Sequence, residues 1–187
     1  PHKTVRRQRQ MCIRDRSFSM NAQMSDYSEG TSATGSNAVA MGKSTTASGS
    51  RSTAMGGDST ASGDFSVAMG RGTTASGTNS TAMGSGTIAS GNNSSAMGYY
   101  TTASGHKTTA MGANTTASDY ASLVIGQFNS SGSSVTNNAT SFNTANTAFV
   151  IGNGTDSSNK SDAFKVMFNG DTTCLLYTSD AADERSW

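Results

Sequence analysis

Proline and tryptophan each occur once and cysteine twice in 187 residues, and all four sit near the chain ends, at Pro1, Cys12, Cys174 and Trp187. Residues 17–173 therefore contain no cysteine, which excludes a disulfide framework and thiolate-ligated metal sites there. His106 is their single histidine. One imidazole makes neither a metal cluster nor a Ser-His-Asp arrangement, so His106 reads as a solvated turn residue. Charge is scarce too. The same residues carry six Lys or Arg against eight Asp or Glu, a net of 6 − 8 = −2, so the electrostatic footprint of a nucleic-acid binder is missing. No signal peptide or membrane-spanning run is visible, and neither a cofactor, a metal nor direct membrane contact by these residues is expected.

What the sequence has in abundance is repetition. Within residues 31–126 a glycine recurs every seventh position, from Gly35 and Gly42 to Gly105 and Gly112; Asp119 breaks the beat once and Gly126 restores it. An alanine stands two residues before each of these glycines as far as Ala110, and Ala117 continues the row before Asp119. The residue between them alternates. Met41, Met55, Met69, Met83, Met97, Met111 and Ile125 fall fourteen apart, with Ser48, Ser62, Ser76, Ser90, Ser104 and Ser118 midway. The unit is thus fourteen residues in two similar halves, and such a period marks a repeat architecture.

A heptad of this composition is not a coiled coil, because Gly, Ser and Thr fill positions that need apolar residues and helix formers. The Ser/Thr-x-Ala-x-Gly pattern instead alternates with period two, as strands do, and glycine with a variable pair supplies a turn. Two strands and two turns per fourteen residues describe one coil of an all-β parallel β-roll or β-solenoid. Alanine shares one strand face in both halves, so it lines a narrow interior. The outer faces differ: one carries the methionine column, the other a hydroxyl face of Thr46/Ser48, Thr60/Ser62, Thr74/Ser76 and their copies. An exposed apolar column on a lone chain calls for a partner. Met41, Met55, Met69, Met83, Met97, Met111 and Ile125 are expected to face other copies of the chain around a symmetry axis; the alternative, that they fill the core of a lone chain, competes with the alanine face for that interior.

The two ends are related to each other rather than to the repeat. Back-translated with suitable codons, Met11 to Arg16 reverse-complements into a string that, read one base later, encodes Cys174 to Thr178. Arg6 to Gln10 likewise yields the codons of Ser179 to Asp183. This inverted pair resembles the translated ends of a sequencing adaptor, so residues 1–16 and 174–187 are set aside as non-native.

Ser66-Val67-Ala68-Met69-Gly70, its copies, and the alternating Thr-Thr-Ala-Ser-Gly resemble the head repeats of YadA-like trimeric autotransporter adhesins. The resemblance implies a left-handed roll, a homotrimer, an outer-membrane location with the head extracellular, and a non-catalytic role in attachment to a host-matrix or cell-surface ligand. Methionine stands here where that family often has isoleucine. The expected organisation is a lead-in at 17–30, the roll at 31–126, a polar insertion at 127–146 and a terminal β segment at 147–173. In that segment Asn169-Gly170 signals a hairpin whose return strand is expected to be missing.

Variation is confined to the turn pairs. Phe65, Tyr99, Tyr100 and Lys107 there are the candidate surface contacts, since aromatic side chains concentrate at binding hot spots; the three aromatics equally suit packing on the turns of a neighbouring subunit. Gly70-Arg71-Gly72-Thr73-Thr74-Ala75 fits a dinucleotide fingerprint only in form, because no helix is expected to follow. Asp156, Asn159 and Asp162 offer oxygen ligands to a hard cation, but read better as a polar loop. Two further readings of the same fold are a phage tail-fibre or spacer element, and an ice-binding solenoid whose Thr46, Thr60, Thr74, Thr102 and Thr116 row is interrupted by Ile88.

Overall fold

The computed structural model describes residues 30–175. The adaptor-like end 1–16, the lead-in 17–29 with Met20, Met24 and Tyr27, and residues 176–187 lie outside the described residues. Among the described residues every regular element is a strand. Two-residue strands, β1 (Ser32–Ala33), β3 (Thr46–Ala47), β5 (Thr60–Ala61), β7 (Thr74–Ala75), β9 (Ile88–Ala89), β11 (Thr102–Ala103) and β13 (Thr116–Ala117), alternate with five-residue ones. The latter are β2 (Val39–Lys43), β4 (Thr53–Gly57), β6 (Val67–Arg71), β8 (Thr81–Ser85), β10 (Ser95–Tyr99), β12 (Thr109–Ala113) and β14 (Leu123–Gln127).

The short strands stack in order into one parallel sheet and the long strands into another. Each residue pairs with the one fourteen positions on: Ala40 with Ala54, Met41 with Met55, Gly42 with Gly56, and Ala47 with Ala61. The chain is a parallel β-solenoid of fourteen-residue coils. Its interior is thin. The row of alanines spaced seven apart from Ala40 to Ala117 is fully buried, as are the hydroxyl residues two positions before them, such as Ser52, Ser59, Ser66 and Thr73. Methyls and small hydroxyls bury little apolar area each, so the ladders of backbone hydrogen bonds do most of the holding.

The conformational role expected of glycine holds in the methionine halves, where Gly42, Gly56, Gly70, Gly84, Gly98, Gly112 and Gly126 take φ of 95–128°, but a second constraint acts on the whole beat. A Cβ on Gly63 would lie 2.1 Å from the carbonyl oxygen of Gly77, and one on Gly70 would lie 1.9 Å from that of Gly84. The neighbouring coil's backbone occupies the space where a side chain would start, so the beat is set by coil stacking. The chain also bends two residues later. The second residue of each variable pair is left-handed, at φ 56° in Asn37, 57° in Phe65 and 60° in Lys107, and its N–H bonds to the previous coil, as Phe65 N–H does to Ser50 O at 2.8 Å.

The long sheet outlasts the short one. After the insertion, β15 (Thr147–Asn153) rejoins it parallel to β14, with Val124 opposite Val150 and Ile125 opposite Ile151. Next β16 (Asp162–Met167) pairs antiparallel with β15. The Asn169-Gly170 turn follows, with Gly170 at φ 93°. Contrary to expectation a return strand is present: β17 (Thr172–Cys174) pairs with β16. Ladder pairing uses backbone groups alone, so a chain leaving such a turn pairs with little regard to its side chains.

The insertion closes the end of the short sheet. Asn129 Oδ1 accepts the Thr116 N–H at 2.8 Å while its Nδ2 donates to Thr116 O at 2.9 Å, so an amide side chain takes the place of the next strand. Asp119, where the glycine beat fails, is fully buried and accepts N–H groups from Thr136 and Thr147. Glycine is not needed there because no further short strand stacks on β13.

Candidate functional site

The roll offers two outer faces and two turn edges. On the long-sheet face, Met41, Met55, Met69, Met83, Met97 and Met111 stand in register, one per coil. Met69 is 38% exposed; the others and Ile125 are half-buried. The column continues past the roll. Ile125 pairs with Ile151, and Ile151 with Phe164; beside them Leu123 pairs with Phe149, and Phe149 with Val166. Phe149 and Phe164 meet edge to face at 6.1 Å. The apolar face therefore widens from a single column of methionines into a two-column patch at the β15–β16 end, which the sequence pattern alone did not reveal.

On the opposite face Thr46, Thr60, Thr74, Thr102 and Thr116 also stack in register, with Ile88 in line between them and 41% exposed. Ser48, Ser62, Ser76 and Ser90 are exposed alongside. At the far end the insertion covers this second row: Ser118 is buried and its hydroxyl donates to Ser133 O at 3.3 Å.

The four candidate contact residues fall on two different edges. Phe65 and Lys107 lie on the edge that follows the short strands, three coils apart. The Arg51 guanidinium sits 5.1 Å over the Phe65 ring. Lys107 Nζ donates to Tyr120 Oη at 2.8 Å and lies 5.2 Å from that ring's centre. Here an acidic or amide side chain also ties successive coils, for Asp64 Oδ1 accepts the Ser50 N–H and Asn92 Oδ1 the Thr78 N–H. His106 is half-buried on this edge, and its N–H donates to Ala139 O in the insertion at 2.7 Å. Tyr99 and Tyr100 lie on the other edge, following the long strands. They are 53% and 55% exposed and meet edge to face at 4.5 Å. The Tyr100 ring rests over Gly86, where a Cβ would come within 2.7 Å of it.

Of the three possible oxygen ligands, the structure brings two together and turns the third away. Asn159 Nδ2 donates to Asp156 Oδ2 at 2.8 Å. The Asp162 carboxylate instead accepts the N–H groups of Ser130 and Ser131, both at 2.8 Å. Asp156 has its acidity strengthened, chiefly by the Asn159 amide and then by the backbone N–H groups of Ser158 and Asn159, which favour the carboxylate. Among the described residues no three His, Cys, Asp or Glu gather at metal-binding distance. The Gly70-Arg71-Gly72 motif runs from the end of β6 into a turn and then the two-residue strand β7.

No curated protein matches the chain. The family description "YadA head domain repeat (2 copies)" matches residues 33–59, 47–73, 75–101 and 103–129, together half of the chain. Each match opens on the alanine of a short strand, Ala33, Ala47, Ala75 or Ala103, so its frame is the coil frame of the structure. Fold, period and repeat identity agree, and the chain belongs to the YadA head domain repeat family.

Proposed function

We propose that the chain is the non-catalytic, surface-exposed head of an outer-membrane adhesin, assembled as a homotrimer that attaches to host or environmental surfaces. The observation that carries this reading is the unbroken methionine column on one face of a roll built from this family's head repeats. Completing the burial of a half-buried methionine contributes on the order of 1 kcal/mol. Six methionines of the column and Ile125 per chain, with the Leu123, Phe149 and Phe164 patch beyond them, supply a sufficient drive for three faces to meet on an axis. The turn edges then point outward, where Phe65, Tyr99, Tyr100 and Lys107 make contacts. Weak contacts repeated three times gain avidity through effective concentration.

Sedimentation equilibrium on the full chain is expected to return the mass of three chains, and Met69→Lys with Met83→Lys to return one. A stable monomer at micromolar concentration would overturn the trimer. Adhesion is tested by retention of the assembled protein on cells and matrix-coated surfaces, against a heat-unfolded control. A second reading rests on the in-register threonine row: an ice-binding face would produce thermal hysteresis, and its absence in the folded protein removes that reading.

A further inference from the structure

We infer that the edge bearing Tyr99 and Tyr100 holds a saccharide-binding notch, with a single pyranose ring as its occupant. The inference deepens the adhesive reading and rests on it. Its basis is the order of side chains down two columns of that edge. In the first column Arg71 pairs with Ser85 and Ser85 with Tyr99. In the second, Asp58, Gly72, Gly86 and Tyr100 follow one another at the left-handed turn position, with φ of 55°, 62°, 64° and 49°. Large side chains thus stand on both sides of a stretch holding only Gly72, Ser85 and Gly86. From Arg71 to Tyr99 that stretch spans two coil steps, about 10 Å at roughly 4.8 Å per step.

The walls differ in chemistry. On one side two tyrosine rings are fixed against each other, and the Tyr100 ring folds down onto Gly86, because glycine leaves the space a Cβ would fill. On the other, Arg71 and Asp58 are exposed, and no side-chain hydrogen bond or ion pair engages either among the described residues. The floor at Gly72 is open, with nothing within 4 Å of a would-be Cβ. A pyranose presents a face of C–H groups, which an exposed aromatic ring covers, and a rim of hydroxyls, which a guanidinium and a carboxylate bind as donor and acceptor. An apolar surface with a few fixed polar groups is the usual makeup of a small-molecule site.

A peptide fits less well. Strand addition needs free backbone groups on the edge, and here they are used between coils: Gly72 N–H bonds to Gly57 O, Gly86 N–H to Arg71 O and Tyr100 N–H to Ser85 O, at 2.8–2.9 Å.

The test is saturation-transfer NMR on the full chain with cellobiose, lactose and diacetylchitobiose at millimolar concentration. Transfer to ring C–H protons of at least one sugar is expected. The double variant Tyr99→Ser with Tyr100→Asn should reduce it about tenfold or more, as expected when aromatic anchors are removed. That variant keeps the fold, since serine copies Ser85 and asparagine tolerates the left-handed position; sedimentation and circular dichroism verify this. Asn37→Gly, on the other edge and at a left-handed turn position that glycine fits, should leave transfer unchanged. No transfer from any sugar, or transfer that survives the double variant, overturns the notch. Loss of matrix-protein binding in the double variant, with no sugar transfer, would assign the edge to a protein and equally overturn it. Surface attachment that persists without the tyrosines leaves the adhesive reading standing while removing this one, and sugar transfer without any surface attachment does the reverse.

Discussion

The roll and the segment that closes it are held together by opposite means. From Val39 to Gln127 nearly every tie between coils is backbone to backbone. The side chains there act mainly by being small enough to let one coil lie on the next. Beyond Gln127 the strands β15 to β17 keep the backbone ladder, but the loops that close the roll are tied by particular side chains: Asn129 on Thr116, Asp119 on Thr136 and Thr147, Asp162 on Ser130 and Ser131, and Asn146 on Asn138. A periodic structure is specified by what it forbids, and its cap by what it requires. Substitution should therefore damage the two regions differently: in the roll by adding atoms, in the cap by removing them.

The largest effect is expected from a single added methyl. Gly63→Ala puts a Cβ about where the Gly77 carbonyl oxygen stands, and both partners are backbone, so neither moves without parting two coils. A loss above about 4 kcal/mol is expected, in the range reserved for gross steric conflict, read as a fall in the urea midpoint. The control lies in the same roll. Gly57 has nothing within 4 Å of a would-be Cβ and no positive φ, so Gly57→Ala should be neutral or stabilising by up to about 1 kcal/mol through the unfolded chain. Equal losses at the two sites would show that glycine matters for flexibility rather than for stacking.

Asp119→Ala comes next. It strips a buried acceptor from two backbone N–H groups, for a loss of about 3 kcal/mol. Asp119→Gly, which restores the heptad beat, should lose as much as Asp119→Ala. If glycine there matched the wild-type stability, the closing role of the carboxylate would be refuted. Asn129→Ala leaves the Thr116 N–H and carbonyl without their substitute strand, for about 1–2 kcal/mol. It also bares an edge of the short sheet, so faster amide exchange at Thr116 and concentration-dependent aggregation should accompany the loss.

These differences explain what could be read in advance. The fourteen-residue coil, the alanine interior, the methionine face and the return of Thr147–Asn153 to the sheet all follow from side-chain size at fixed spacing, a one-dimensional property. Glycine as a turn former is legible in the sequence, and the glycines of the methionine halves take the positive φ it provides for. The stacking that excludes a Cβ along the beat is not legible, because the obstructing carbonyl belongs to the coil fourteen residues away. The meaning of Asp119 was hidden for a related reason, since its partners are Thr136 and Thr147, across an aperiodic loop. The Tyr99–Arg71 relation was present in the sequence, but only when the variable pairs are written as columns.

The smallest effect separates the regions by acidity. Hydrogen bonds between backbone groups contain nothing that titrates near neutral or mildly acidic pH, whereas the loop of residues 153–162 turns on Asp156, whose carboxylate accepts from the Asn159 amide and from the N–H groups of Ser158 and Asn159. Those bonds hold its pKa below the ordinary 3.8. A depressed carboxyl contributes stability that is present above the unfolded value and lost as pH falls through the folded one, so the loop should keep its order down to pH 3.8 and loosen below it. Because Asp156 is fully exposed, the change stays local: amide exchange at Ser158 and Asn159 quickens relative to the intrinsic rate, while the unfolding midpoint of the roll is unmoved by this group. Asp156→Asn should abolish the acid dependence at those two amides. Loosening that begins above pH 5, or that persists in Asp156→Asn, would locate the titrating group elsewhere and remove this distinction between cap and roll.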